Sequence, residues 1–215
     1  MTVHNSDFMR EAKFAEAYRL AKATGSFENW EPTWRVYICC WCAQRAANLE
    51  GDFVECGVNR GGYSRAVMHY IDFEKLQKKF WLLDTYEGIP EHLLTQEERA
   101  KGMGTMDYDD CYRQVQGTFS EFKNVEIVRG MVPDTLDQVS SAKICYLSID
   151  MNNASPEIAA ATFFWERMSS GGVVVLDDYG WPKHIAQKHA FDEFARDRGV
   201  SVLSLPTGQG LLFKP

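Results

Sequence analysis

Apolar residues along this chain follow two different patterns, and the change between them falls near Gly51. Up to Glu50 the spacing is helical. In "DFMREAKFAEAYRLAKATG", Phe8, Ala12, Ala15, Tyr18 and Leu20 lie near helical spacing, and Gly25 suits a C-terminal stop. A second helix is expected from Thr33 towards Asn48, opened by Pro32. From Gly51 onwards short apolar runs take over. "DFVECGV", "KFWLLDTY", "NVEIVRG", "AKICYLSID" and "GGVVVLDDYG" read as strands. Helices are expected between them at "GYSRAVMHYI", at "SPEIAAATFFWERMS" begun by Ser155 and Pro156, and at "HIAQKHAFDEFARDRG" ended by Gly199. "VSVLSLPTGQGLLFK" reads as a closing hairpin with a glycine-containing turn.

Several of these strands are continuous apolar runs, as in strands covered on both faces. Strands alternating with helices predict an α/β fold with a doubly wound, mostly parallel sheet. The final hairpin adds an antiparallel strand at or near one edge. A chain of 215 residues fits one domain, here expected as a helical cap over 1–50 and a core over 51–215. Composition adds exclusions. The formal net charge of -7 and the lack of a basic cluster disfavour a nucleic-acid partner. No apolar run approaches the ~20 residues of a membrane helix, and "MTVHNSDFMREAKF" lacks a signal peptide's apolar centre. A cytoplasmic protein with no membrane partner is expected, and its six cysteines default to thiols. Cys39, Cys40 and Cys42 read as a buried helix face rather than a metal knuckle, because no further ligands follow at suitable spacing.

The chemistry gathers at strand ends, where open α/β sheets bind their ligands. Glu55 ends the first strand, Asp84 the second, Asp150 the fourth, and Asp177 with Asp178 the fifth. A rim of acids suits a ligand rich in hydroxyl and amino donors, a metal ion, or both. Behind Glu55 the turn reads "GVNRGG", which is not the dinucleotide spacing G-x-G-x-x-G. Asp84 is placed to take ribose hydroxyls. Together these features fit S-adenosylmethionine, a nucleoside with a sulfonium and no phosphate; the alternative is a tight turn whose glycines only permit packing. Asp150, Asp177 and Asp178 would repel one another unless neutralised, and an all-oxygen set suits Mg²⁺. The alternative for Asp177 and Asp178 is that they simply begin the next loop.

"FVECGVNRGGYS", "LLDTYEGIP", "SID" and "GGVVVLDDYGWP", in that order, resemble the macrocin O-methyltransferase (TylF-type) family, within the class I S-adenosylmethionine-dependent methyltransferases. The resemblance spans Trp34 to the C-terminus. It implies a Rossmann-like core with a seventh, antiparallel strand, and Mg²⁺-assisted methylation of a hydroxyl on a sugar, polyol or catechol-like natural product. It implies cofactor contacts at Glu55, Gly57, Ser64 and Asp84 and metal ligands at Asp150, Asp177 and Asp178. The expected cofactor set is completed by Val58, Gly61, Gly62, Thr85, Asp150 and Gly130, the last passing near the adenine. A homodimer is expected by family analogy alone.

One departure concerns the base. The family commonly carries an acid two residues after the first metal ligand, and the catechol enzymes a lysine three residues after it. Here those positions are Asn152 and Asn153, and an amide takes no proton at neutral pH. His184 is the candidate substitute, against a plain loop histidine. The long connection "EHLLTQEERAKGMGTMDYDD" suggests a mobile lid. Two other readings remain: a cofactor-binding protein without transferase activity, and an NAD-dependent oxidoreductase, which the missing fingerprint disfavours.

Overall fold

The computed structural model describes residues 4–28, 30–103 and 108–215. Among these, seven strands form a single sheet: β1 (Asp52–Cys56), β2 (Phe80–Asp84), β3 (Val125–Arg129), β4 (Ile144–Ile149), β5 (Met168–Leu176), β6 (Leu203–Ser204) and β7 (Gly210–Phe213). Their order is β3-β2-β1-β4-β5-β7-β6. The first five run parallel, while β7 is antiparallel to both β5 and β6. The direction of winding reverses between β1 and β4, so a crevice opens there beyond the carboxyl ends of the strands.

Among the described residues, seven α-helices connect and cover the sheet: α1 (Ala12–Ala23), α2 (Thr33–Ala46), α3 (Gly62–Tyr70), α4 (Gln96–Ala100), α5 (Tyr112–Phe119), α6 (Ala154–Trp165) and α7 (Ile185–Asp197). Side chains of successive strand residues point to opposite faces. Phe53 therefore joins the core beneath α1, α2 and α3, while Val54 and Cys56 join the core beneath α6 and α7. Glu55 falls on Phe53's face. The N-terminal helices are thus a layer of the sandwich: α2 packs on β4 and β5, and α1 on α3. Cys39, Cys40 and Cys42 face that core, and all six cysteines are buried and free.

Elements that depart from the sequence pattern include β5 and α5. The segment expected to end a helix at "ERMS" instead starts β5, because Met168 pairs with Ile144 across the sheet. α5 was not legible as a helix; Val115 and Phe119, one turn apart, bury its inner face.

Candidate active site

The crevice at the switch point holds a cavity. Its walls include Gly57, Asp84, Thr85, Tyr86, Gly130, Met131 and Asp150, with Ile89, Leu93 and Tyr108 closing over from the long connection after β2. Five of the residues expected at the cofactor therefore line it. Glu55, Val58, Gly61, Gly62 and Ser64 do not. Glu55 is turned to the helical face, where it accepts a hydrogen bond from the Ser64 hydroxyl on α3. Burial, and then the charges of Asp177 and Asp84, push its carboxyl well above the usual range. Asn153 stands in the cavity wall, fully buried, and neither atom of its side-chain amide has a partner. Such a group costs stability unless something bonds to it.

At these glycines an added side chain would meet protein. Gly57 has φ +88°, and a Cβ there would lie 1.9 Å from the Asp150 carbonyl oxygen. The end of β1 passes too close to the end of β4 for any side chain. A Cβ on Gly61 would meet Phe119, one on Gly62 would meet Ser26, and one on Gly130 would meet Thr135. The neighbour that excludes a side chain is protein in each case, not open cavity. Asp84 also has partners within the protein. Its Oδ2 accepts the backbone N–H groups of Val58 (2.6 Å) and Asn59 (2.7 Å), and its Oδ1 accepts that of Tyr86 (2.7 Å). The carboxylate clamps the glycine turn to β2 while still facing the cavity.

Beside the cavity the three remaining acids do converge, but around an arginine. Arg35 reaches from α2 to Asp177 Oδ2 at 2.5 Å and Asp178 Oδ1 at 3.1 Å, and also donates to the Asp177 carbonyl. It is 5 % exposed, which for an arginine demands such pairing. Trp30 and Trp181 flank the guanidinium, with ring centroids 5.0 and 5.9 Å from Cζ. Asp177 Oδ1 accepts from Gln209 Nε2 at 3.0 Å, and Tyr63 Oη lies 3.4 Å from Oδ2. Burial, then Asp177 and Asp178, raise the Asp150 carboxyl well above the carboxylate range. Burial also lifts Asp177 to about 6, with Arg35 pulling downward. The expected Mg²⁺ does not fit this arrangement. Among the described residues no group of three or more His, Cys, Asp or Glu is disposed to hold a metal ion, and both oxygens of Asp177 and one of Asp178 are engaged by Arg35 and Gln209. Nothing in sequence spacing announces Arg35. The available signal was a lone charge in the apolar helix "TWRVYICCWCA".

His184 sits in a short 3-10 turn, Pro182–His184, with Nδ1 3.6 Å from Asp178 Oδ2 and 2.5 Å from Gln187 Oε1. Gln187 Nε2 in turn donates to Glu157 Oε1 at 2.6 Å, which fixes the amide with its oxygen towards the imidazole. Nδ1 must then carry the proton, leaving the lone pair of a neutral imidazole on Nε2. Burial, reinforced by Asp178, raises Glu157 to about 8. Asn152 takes φ +60° and lies 3.5 Å from the Tyr108 hydroxyl. The presumed lid is anchored where it is described. Thr95 and Glu98 form a capping box on α4, and the buried Glu98 also accepts the Ala154 N–H at 2.7 Å, capping α6 from outside. Residues 104–107 of that connection lie outside the described residues.

The macrocin-O-methyltransferase (TylF) family matches residues 39–203. The chain belongs to this family. Among curated members it is 24% identical over 166 residues to the mycinamicin III 3''-O-methyltransferase of Micromonospora griseorubida, covering 71% of this chain and 63% of that protein. It is 28% identical over 149 residues to the 8-demethyl-8-(2,3-dimethoxy-alpha-L-rhamnosyl)-tetracenomycin-C 4'-O-methyltransferase of Streptomyces olivaceus, covering 62% of this chain and 55% of that one. The chain thus spans less than two thirds of the length of either relative. The solved O-methyltransferase NovP superposes with a TM-score of 0.73 at 19% identity over 97% of both chains. That likeness and the strand order identify a Rossmann-like class I methyltransferase fold. No helix among the described residues is long and apolar enough to cross a membrane.

Proposed function

We propose that this chain is an S-adenosylmethionine-dependent O-methyltransferase acting on a hydroxyl of a small, sugar-bearing natural product. The observation that carries the reading is the cavity at the β1/β4 switch point, with Asp84 and Asp150 in its wall and a protein-lined acidic rim beside it. The orphaned amide of Asn153 supports a donor- and acceptor-rich occupant, as the purine and ribose of the cofactor would be. The names of the two curated relatives favour a sugar hydroxyl as acceptor. Bound in this cavity, S-adenosylmethionine would supply an electrophilic methyl group on sulfur.

The chain's own residues then have positional tasks. Trp30 and Trp181, 45% and 43% exposed, stand next to Arg35 and would offer flat apolar faces to an acceptor ring. Ile89, Leu93 and Tyr108 close the cavity and exclude water. His184 is our candidate for the group that takes the hydroxyl proton, at Nε2, with Gln187 and Asp178 holding the ring from the Nδ1 side. A magnesium-assisted version would require Arg35 to release Asp177 and Asp178, and no step here relies on it.

The test is incubation with S-adenosylmethionine and a panel of glycosylated acceptors, read by mass spectrometry. Products one methylene heavier, with S-adenosylhomocysteine formed in equal amount, are expected. His184→Gln should lower kcat by roughly 10²- to 10⁴-fold at little change in KM. Cofactor binding with no methylated product from any hydroxylated acceptor would leave a binding protein of this fold, and no cofactor binding would remove the reading altogether.

A further inference from the structure

We propose that Arg35 is the resident cation of the acidic rim: its guanidinium occupies the place among Asp177 and Asp178 where the sequence leads one to expect a divalent metal, and it excludes that metal. The inference concerns ion occupancy and stands or falls independently of the methyltransferase reading.

A hard divalent ion needs several oxygens at roughly 2.0–2.6 Å in a shell around one centre. Here one nitrogen of Arg35 stands 2.5 Å from Asp177 Oδ2 and 3.1 Å from Asp178 Oδ1, so the space between the two carboxylates is already filled by positive charge. A metal would have to share it with a group that does not deprotonate. The remaining oxygen of Asp177 accepts from Gln209, and Asp178 Oδ2 faces His184. Arg35 is also fixed from behind. Its side chain is 6 % exposed, Trp30 and Trp181 flank it, and it rises from the first turn of α2 rather than from a loop. Swinging out would leave the acids buried and unpaired, while bringing the guanidinium past two indole rings.

The test uses Mn²⁺ as the probe, by calorimetry and by its effect on thermal unfolding, on the full chain. Wild type should show no saturable Mn²⁺ binding up to millimolar concentration and an unchanged Tm. Arg35→Met keeps most of the aliphatic stem and removes the charge. It should unfold at lower temperature, bind Mn²⁺ at least ten-fold more tightly than wild type, and regain Tm when Mn²⁺ is added. Arg35→Lys should behave like wild type, and adding Asp177→Asn to Arg35→Met should abolish the gained binding. Sub-millimolar Mn²⁺ binding by wild type that Asp177→Asn removes would overturn the proposal, even if Arg35→Met failed to fold. A folded Arg35→Met with no gain in Mn²⁺ binding would overturn it as well.

Discussion

At the scale of single residues, buried acids dominate the behaviour of this molecule. Glu157 is raised by burial to about 8 from 4.5. Between those values the unfolded chain has released the proton and the folded chain retains it. The unfolded state then binds fewer protons, so stability falls as pH rises through that window. Asp177, raised from 3.8 to about 6, and Glu55, raised well above 4.5, act in the same direction. Glu157→Gln preserves an oxygen for Met151 N–H and Gln187, and should flatten the decline between pH 5 and 8 in urea unfolding. Identical slopes for variant and wild type would show that Glu157 ionises normally in the fold. Gly57 presents the opposite case, a position set by space. Gly57→Ala adds left-handed strain of ~1–2 kcal/mol to a contact of 1.9 Å with the Asp150 carbonyl. It should unfold at markedly lower temperature or fail to fold, whether or not ligand is present. An effect confined to ligand affinity would mean the glycine serves the cavity instead.

At the scale of elements, strand ends do most of the positioning and one short helix does more than its length suggests. α4 is only Gln96–Ala100, yet Glu98 uses one oxygen on Thr95 N–H and the other on Ala154 N–H. It ties the cover of the cavity to the start of α6. Glu98→Ala should lose both contacts, at ~1 kcal/mol or more, and speed hydrogen exchange across residues 91–103. Glu98→Gln, with one oxygen left, should fall between. Unchanged exchange in Glu98→Ala would mean the cover is held by its apolar contacts alone. This anchoring was invisible in the sequence, where "EHLLTQEERAKGMGTMDYDD" reads as a polar connection. The parallel strands were legible for the reverse reason: a strand buried on both faces must be apolar at every position, and "GGVVVLDDYG" shows it. The start of β5 was misread because helix-compatible residues run on through "WERMS", and only the pairing of Met168 with Ile144 pulls the backbone into the sheet.

At the scale of the whole molecule, the fold delivers acids from β1, β2, β4 and β5 to one end of the sheet, and a helix from the chain's first quarter delivers the arginine that meets them. The acids were readable, since each closes an apolar run. Arg35 was not, because its partner carbonyl at Asp177 lies 142 positions along the chain and no local rule links the two. The same separation explains why the ligand set Asp150, Asp177 and Asp178 was plausible in sequence, whereas the folded chain pairs Asp177 and Asp178 with Arg35. The central claim is that the cavity at the switch point receives the nucleoside of S-adenosylmethionine. Calorimetric titration with S-adenosylhomocysteine tests it most directly, on wild type and on Met131→Trp, whose indole would fill the cavity from its wall. Saturable binding at one site per chain in the micromolar range is expected, weakened at least ten-fold in the variant. No binding to wild type, or equal binding by the two proteins, would contradict it.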